Sequence, residues 1–165
     1  MRVTIVAVTL LALLGLGSLE AQLPKKEDTP KNLNLLKSSK SAKDRAFAAE
    51  QLGLRGQVRA TDVKEAVEPL MEAVKSDESA SVRRAAATAL GQIAPDPEKA
   101  VPALTGALKD KAKDVRMAAA LALGAFGPEA RSALPALREM AGEKDKKVSQ
   151  AAKLAMKSIS GKKKN

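Results

Sequence analysis

Self-similarity constrains this chain more than any other property. Three segments, opening at Ala66, Ala100 and Ala133, align at a period of 33 to 34 residues. Leu70, Leu104 and Leu137 correspond, as do Asp77, Asp110 and Glu143. Val82, Val115 and Val148 follow, then Ala86, Ala119 and Ala152, then Leu90, Leu123 and Met156. A period of this length marks a supersecondary unit that cannot bury its apolar face alone and stacks on copies of itself. An earlier, degenerate copy runs from Asp44 to Gly53, in register at a shift of 38. Its Arg45 falls in line with Arg83, but Asp44 stands where the later copies carry Val. This copy is expected to act as an N-terminal cap.

Each unit reads as two helices. Asp96-Pro97 supplies an N-cap and a first-turn proline. Pro102 and Pro135 fall inside or at the start of the first helix, where proline kinks a helix or delays its onset. Ser81 and Asp114 read as N-caps of the second helix. In that helix Val82, Ala85, Ala86, Ala89, Leu90 and Ile93 recur at three and four residues, which draws one buried stripe. Val115, Ala118, Ala119, Ala122, Leu123 and Phe126 repeat it, and Phe47 is expected in the core as well. Gly91 and Gly124 sit within these helices despite a cost near ~1 kcal/mol each, so their recurrence implies close helix–helix approach. The apolar residues are mainly Ala, Leu and Val, with aromatics only 1%, which suits helix packing and disfavours a β-sandwich.

The pattern Pro-x-Leu, Leu-x-Asp, Asp-Val-Arg-x-Ala-Ala, Ala-Leu-Gly resembles the HEAT repeat, in the short subtype first named for phycobilisome lyases. The resemblance covers residues 44–160. It implies an all-α fold, a right-handed α-α superhelix built as a short solenoid. It also implies that Asp77 with Arg83, and Asp110 with Arg116, tie helix pairs together. The last copy departs, with Ser149 for Arg and Lys157 for Gly. Polar substitution is what a terminal repeat needs, because nothing covers its outer face.

Chemistry is restricted by what the chain lacks. It has no His, Cys, Trp or Tyr. The usual zinc and transition-metal ligand sets are therefore out of reach, as are the Ser-His-Asp triad, a Cys nucleophile and a histidine acid/base. A two-iron site of His-Glu pairs, known in HEAT-like hydroxylases, cannot form. The reading is a non-catalytic scaffold without metal or cofactor. A bilin lyase-like role is implied only by the resemblance, and fold does not fix function.

Residues 1–21 read as an export signal: Arg2, then an apolar run from Val3 to Leu16, then Gly17 and Ser18 and a small Ala21 before the cleavage point, with Leu19 a poorer residue than Ala at −3. The chain is accordingly expected to be periplasmic or secreted in a bacterium. An uncleaved N-terminal anchor is the alternative, since the apolar run sits at the short limit for spanning. Residues 22–43 read as a polar, Lys-rich linker that could hold a helix from about Lys31 to Ser38, and 161–165 as a basic tail.

The formal net charge is +10. From Ala66 to Ser160 there are 15 basic and 12 acidic residues, so the excess falls mostly at the ends. Those Lys-rich ends could make weak contact with anionic surfaces. Nucleic acid is a weaker candidate, because no Trp or Tyr is present for base stacking.

The family resemblance implies that the second helices line the concave side. Subtracting the stripe leaves Arg83, Arg84, Ala87, Thr88 and Gln92 exposed on one such helix and Arg116, Met117, Ala120 and Leu121 on the next. The last offers Ser149, Gln150, Lys153 and Leu154. Met117 and Leu121, edged by Arg84 and Lys153, form the candidate ledge for a protein or peptide partner.

Overall fold

The computed structural model describes residues 24–161. The expected export signal and Lys162–Lys164 of the basic tail lie outside the described residues. Among the described residues there are eight α-helices and no strand. They are α1 (Thr29–Ser38), α2 (Ala42–Val58), α3 (Val67–Ser76), α4 (Ala80–Ile93), α5 (Pro97–Ala107), α6 (Lys113–Phe126), α7 (Leu134–Ala141) and α8 (Lys146–Ser160). Odd-numbered helices are the first, or A, helices of four units, and even-numbered helices are the B helices. The result is an all-α solenoid.

The B helices pack on one another along their length, whereas the A helices hardly touch their counterparts. Elements packed closely on one side and splayed on the other make the array curve, with α2, α4, α6 and α8 on the inside of the bend. Small side chains allow that closeness. A Cβ built on Gly91 would lie 2.8 Å from Ala122 Cα, and one on Gly53 would lie 2.8 Å from Ala89 Cα. On Gly124 it would lie 3.2 Å from Ala155 Cα. Each of α2, α4 and α6 thus turns a glycine forward onto an alanine of the next B helix. The core then fills with the repeated leucines and valines: Leu70, Leu90, Leu104, Leu123 and Leu137 are fully buried, each worth about 2 kcal/mol of apolar transfer.

Helix onsets follow local chemistry. Asp96 accepts a hydrogen bond from the Glu98 backbone N–H, and Pro97 opens α5. Without that pair, 60–66 and 127–133 run as 3₁₀ turns, and α3 and α7 begin two residues before Pro69 and one before Pro135. Ser81 and Asp114 are not N-caps, because α4 and α6 start earlier, at Ala80 and Lys113. The capping role passes to Asp77 and Asp110, whose carboxylates accept from the backbone N–H groups of Ser79 and Ala112.

The leading unit is more complete than a cap. α1 occupies Thr29–Ser38, where a helix from about Lys31 to Ser38 is expected inside the stretch read as linker, and it buries Asn32 and Leu36 against the array. α2 starts at Ala42, with Ser41 as its N-cap, so the packed array begins well before Asp44. Phe126 is buried, but Phe47 is 53% exposed and does not belong to the core. Its position matches Ala85, which a preceding B helix covers, and among the described residues no B helix precedes α2. Among the described residues no helix is long and apolar enough to cross a membrane.

Candidate functional site

Two surfaces carry the recurrent polar and apolar side chains. The first is the edge where each A helix turns into its B helix. Arg83 leaves α4 and grips Asp110 of the following unit, with Nε–Oδ2 at 2.6 Å and Nη2–Oδ1 at 3.0 Å. Its Nη1 donates to the carbonyl oxygens of Asp77 and Glu78 in its own turn. Arg45 does the same one unit earlier, to Asp77 at 2.7 and 2.9 Å and to the Ser39 carbonyl. Arg116 does it one unit later, to Glu143 at 3.0 and 2.6 Å and to the Asp110 carbonyl. Bidentate arginine–carboxylate pairs of this kind are the strong, geometrically specific ones. The side-chain pairing therefore runs between units. The within-unit pairs expected for Asp77 with Arg83 and Asp110 with Arg116 exist only as contacts to backbone carbonyls.

Electrostatics follow from the ladder. For Asp110 the hydrogen bonds from Arg83 outweigh burial, and the Ala112 N–H adds to them, so its carboxyl lies below the usual range. For Asp77 burial is the largest single influence and pushes upward. Hydrogen bonds from Arg45 and the Ser79 N–H, with the charges of Arg45 and Arg83, more than reverse it. The guanidinium groups of Arg45 and Arg83 are held above their ordinary value by their hydrogen bonds to these carboxylates. The last unit ends the ladder. Ser149 takes the arginine position and its hydroxyl donates to the Ala141 carbonyl at 2.6 Å, which keeps the local contact without a charge.

The second surface is the inner face. Leu121 and Leu154 hold equivalent places on α6 and α8 and are 54% and 51% exposed. Met117, one turn before Leu121, is half-buried against the core. Arg84 is exposed on α4, at the place equivalent to Met117, and donates to Glu50 at 3.3 Å. Several residues expected on this surface are not exposed, and Arg116 and Ser149 are half-buried at the ladder. Arg83 is buried in the ladder, and Ala87 and Ala120 are covered by the next B helix. Lys153 occupies the place of Ala87 and Ala120 in the last of the described units. It stands on the end face of the array with Lys157, which replaces the forward-facing glycine.

The outer clefts adjoin the ladder edge and are separate from the inner face. Where the A helices splay, open clefts of about 650, 480 and 370 Å³ recur along the array beside Asp77 and Asp110. None is lined by Arg84, Met117, Leu121 or Lys153. Among the described residues no cluster of acidic side chains is arranged to hold a metal ion. Sequence reasoning missed the Arg-to-acid reach across units: Arg45, Arg83 and Arg116 each precede a matched acid by 27 or 32 residues, but Arg83 and Arg116 also follow one by six.

A curved stack of two-helix units, closed by polar substitutions at its C-terminal end and tied by a recurrent arginine ladder, defines an α-solenoid repeat protein. The HEAT repeat family profile matches residues 29–100 and 67–157, and the chain belongs to that family. No curated protein matches the chain. Among solved structures it is similar to the CpcE–CpcF complex of phycocyanin lyase from Nostoc sp. PCC7120, with 24% identity and a TM-score of 0.65 over 93% of this chain and 88% of that one. It is also similar to a designed armadillo repeat protein in complex with the peptide (KR)4, with 19% identity and a TM-score of 0.66 over 79% of this chain. The chain spans 64% of the length of that designed protein. At these identities the likeness concerns the fold.

Proposed function

We propose that this protein is a non-catalytic scaffold that holds a protein or peptide partner on its inner face. The observation that carries the reading is the pair of half-exposed leucines at repeated positions, Leu121 and Leu154, beside Met117 and Arg84. Equivalent places on successive helices form a continuous strip, as repeat architectures use for extended ligands. The designed armadillo protein, of similar fold, holds a peptide. We further propose export from the cytoplasm by residues 1–21. Mass determination of the mature chain tests this; an intact Met1 in a soluble cytoplasmic fraction rules it out.

The test of the binding face is affinity capture from the cell-envelope fraction, wild type against Met117→Glu/Leu121→Glu. Partners retained by wild type and lost by the folded variant support the ledge. An unchanged partner set removes it. The likeness to phycocyanin lyase favours a second reading, a lyase-like role toward a bilin. Visible absorbance acquired by the purified chain on mixing with a bilin would support that reading over the first.

A further inference from the structure

The two edges of the solenoid differ in charge. All A-to-B turns lie on one edge, because the Arg45–Asp77, Arg83–Asp110 and Arg116–Glu143 pairs tie each turn to the next. Over residues 37–44, 75–81, 108–114 and 143–147 this edge carries ten lysines, all exposed, from Lys37, Lys40 and Lys43 at one end to Lys144, Lys146 and Lys147 at the other. It carries seven acids, but Asp77, Asp110 and Glu143 are each held by an arginine of the ladder. Four acids remain to face ten lysines. The opposite edge, residues 56–66, 94–99 and 127–133, has four basic and five acidic residues and is balanced. The near-neutral composition of the array therefore conceals a polarised molecule.

We propose that the A-to-B edge rests on an anionic phospholipid surface. The row consists of turn tips along an edge, and the clefts that open beside it are separate from one another rather than one continuous groove, a shape that meets a plane better than a cylinder. Its exposed cations are all lysines, hydrated point charges suited to diffuse attraction by headgroups, while the arginines that would fork onto a single phosphate are committed to the ladder. The chain has no Trp or Tyr to stack on bases. In this orientation the inner face stays clear of the bilayer, so the inference stands apart from the partner reading.

The experiment is co-sedimentation of the full chain with vesicles of equimolar phosphatidylglycerol and phosphatidylcholine, with pure phosphatidylcholine as reference. Replacing Lys109, Lys111, Lys113, Lys144, Lys146 and Lys147 by Gln should weaken binding to anionic vesicles about 100-fold. The smaller variant Lys109→Gln/Lys111→Gln/Lys144→Gln touches no side-chain contact of the fold and should weaken it about 10-fold. Arg59→Gln/Lys64→Gln/Lys99→Gln/Arg131→Gln, on the other edge, should change it less than about threefold. Met117→Glu/Leu121→Glu should bind vesicles as wild type does. Equal losses on both edges would reduce the effect to net charge and overturn the proposal. Undiminished binding by the lysine variants would also overturn it, as would tighter binding to double-stranded DNA than to anionic vesicles.

Discussion

The first and last units share one plan and end the array differently. At the last unit, three positions that face a successor elsewhere have changed: Ser149 for arginine, Lys153 for alanine and Lys157 for glycine. The face that would receive another unit is polar and charged. At the first unit, the position that faces a predecessor holds Phe47, half-exposed, and Gln51 stands where later helices carry the alanine that meets a glycine. The ladder explains the asymmetry. Each arginine reaches forward to an acid of the next unit, so only the final unit has to dispose of an unpaired guanidinium. The first unit has no such obligation and can keep Arg45.

Breaking a central rung should have the largest effect. Arg83→Ala leaves Asp110 largely buried without its partner and should cost about 3 to 4 kcal/mol in denaturant unfolding. Arg116→Ala should cost less, about 1 to 2 kcal/mol, because Glu143 is 32% exposed. Equal costs would show that burial does not grade the rungs.

Next come the glycines. Gly91→Ala puts a methyl group 2.8 Å from the Ala122 backbone. Overpacking there should exceed the helix-propensity gain, for a net loss of about 1 to 2 kcal/mol. Gly124→Ala meets its neighbour at 3.2 Å, and the same balance should come out within about 0.5 kcal/mol of zero. A thermal melt that ranked them the other way would break the picture of looser packing at the last contact between B helices.

Acid should then act on the rungs together. Asp77 and Asp110 have lowered carboxyl values, so their stabilisation is complete above the unfolded value of about 4 and is lost as pH falls through the folded values. The melting temperature is expected to stay level from about pH 7 to pH 5 and to drop below about pH 4. Asp110→Asn should melt lower at neutral pH and fall less steeply in acid. A drop as steep as that of wild type would show that other carboxylates govern acid unfolding.

The smallest effect concerns two equivalent helix ends. α6 ends on Gly127 at φ +58°, but α4 ends on Ala94 at φ +45°, a left-handed conformation that favours glycine. Ala94→Gly should stabilise by about 0.5 kcal/mol after the added chain entropy of glycine. A loss on calorimetry would place the determinant of that turn in Pro95.

The register of the later units was open to reading because Leu, Val and Ala recur at matched places and each is buried at the same depth. The direction of the arginine pairs was not. Arg83 lies six residues after Asp77 and 27 before Asp110, and spacing alone does not choose between them. α1 escaped the repeat pattern because Leu33, Leu35 and Leu36 have no matched neighbours. Phe47 was misread because the stripe marks a face that packs only when another unit precedes it. The inner face was legible as far as Leu121 and Leu154. Lys153, which looked like part of it, belongs to the closure of the array.

The forward reach of the arginines also has a consequence in time. A ribosome releases the units in order, and each newly finished B helix presents a guanidinium whose carboxylate partner has not yet been made. Arg45 waits for Asp77, Arg83 for Asp110 and Arg116 for Glu143. Every nascent intermediate therefore carries one unsatisfied clasp at its growing end, and only the serine at position 149 releases the chain from waiting for another.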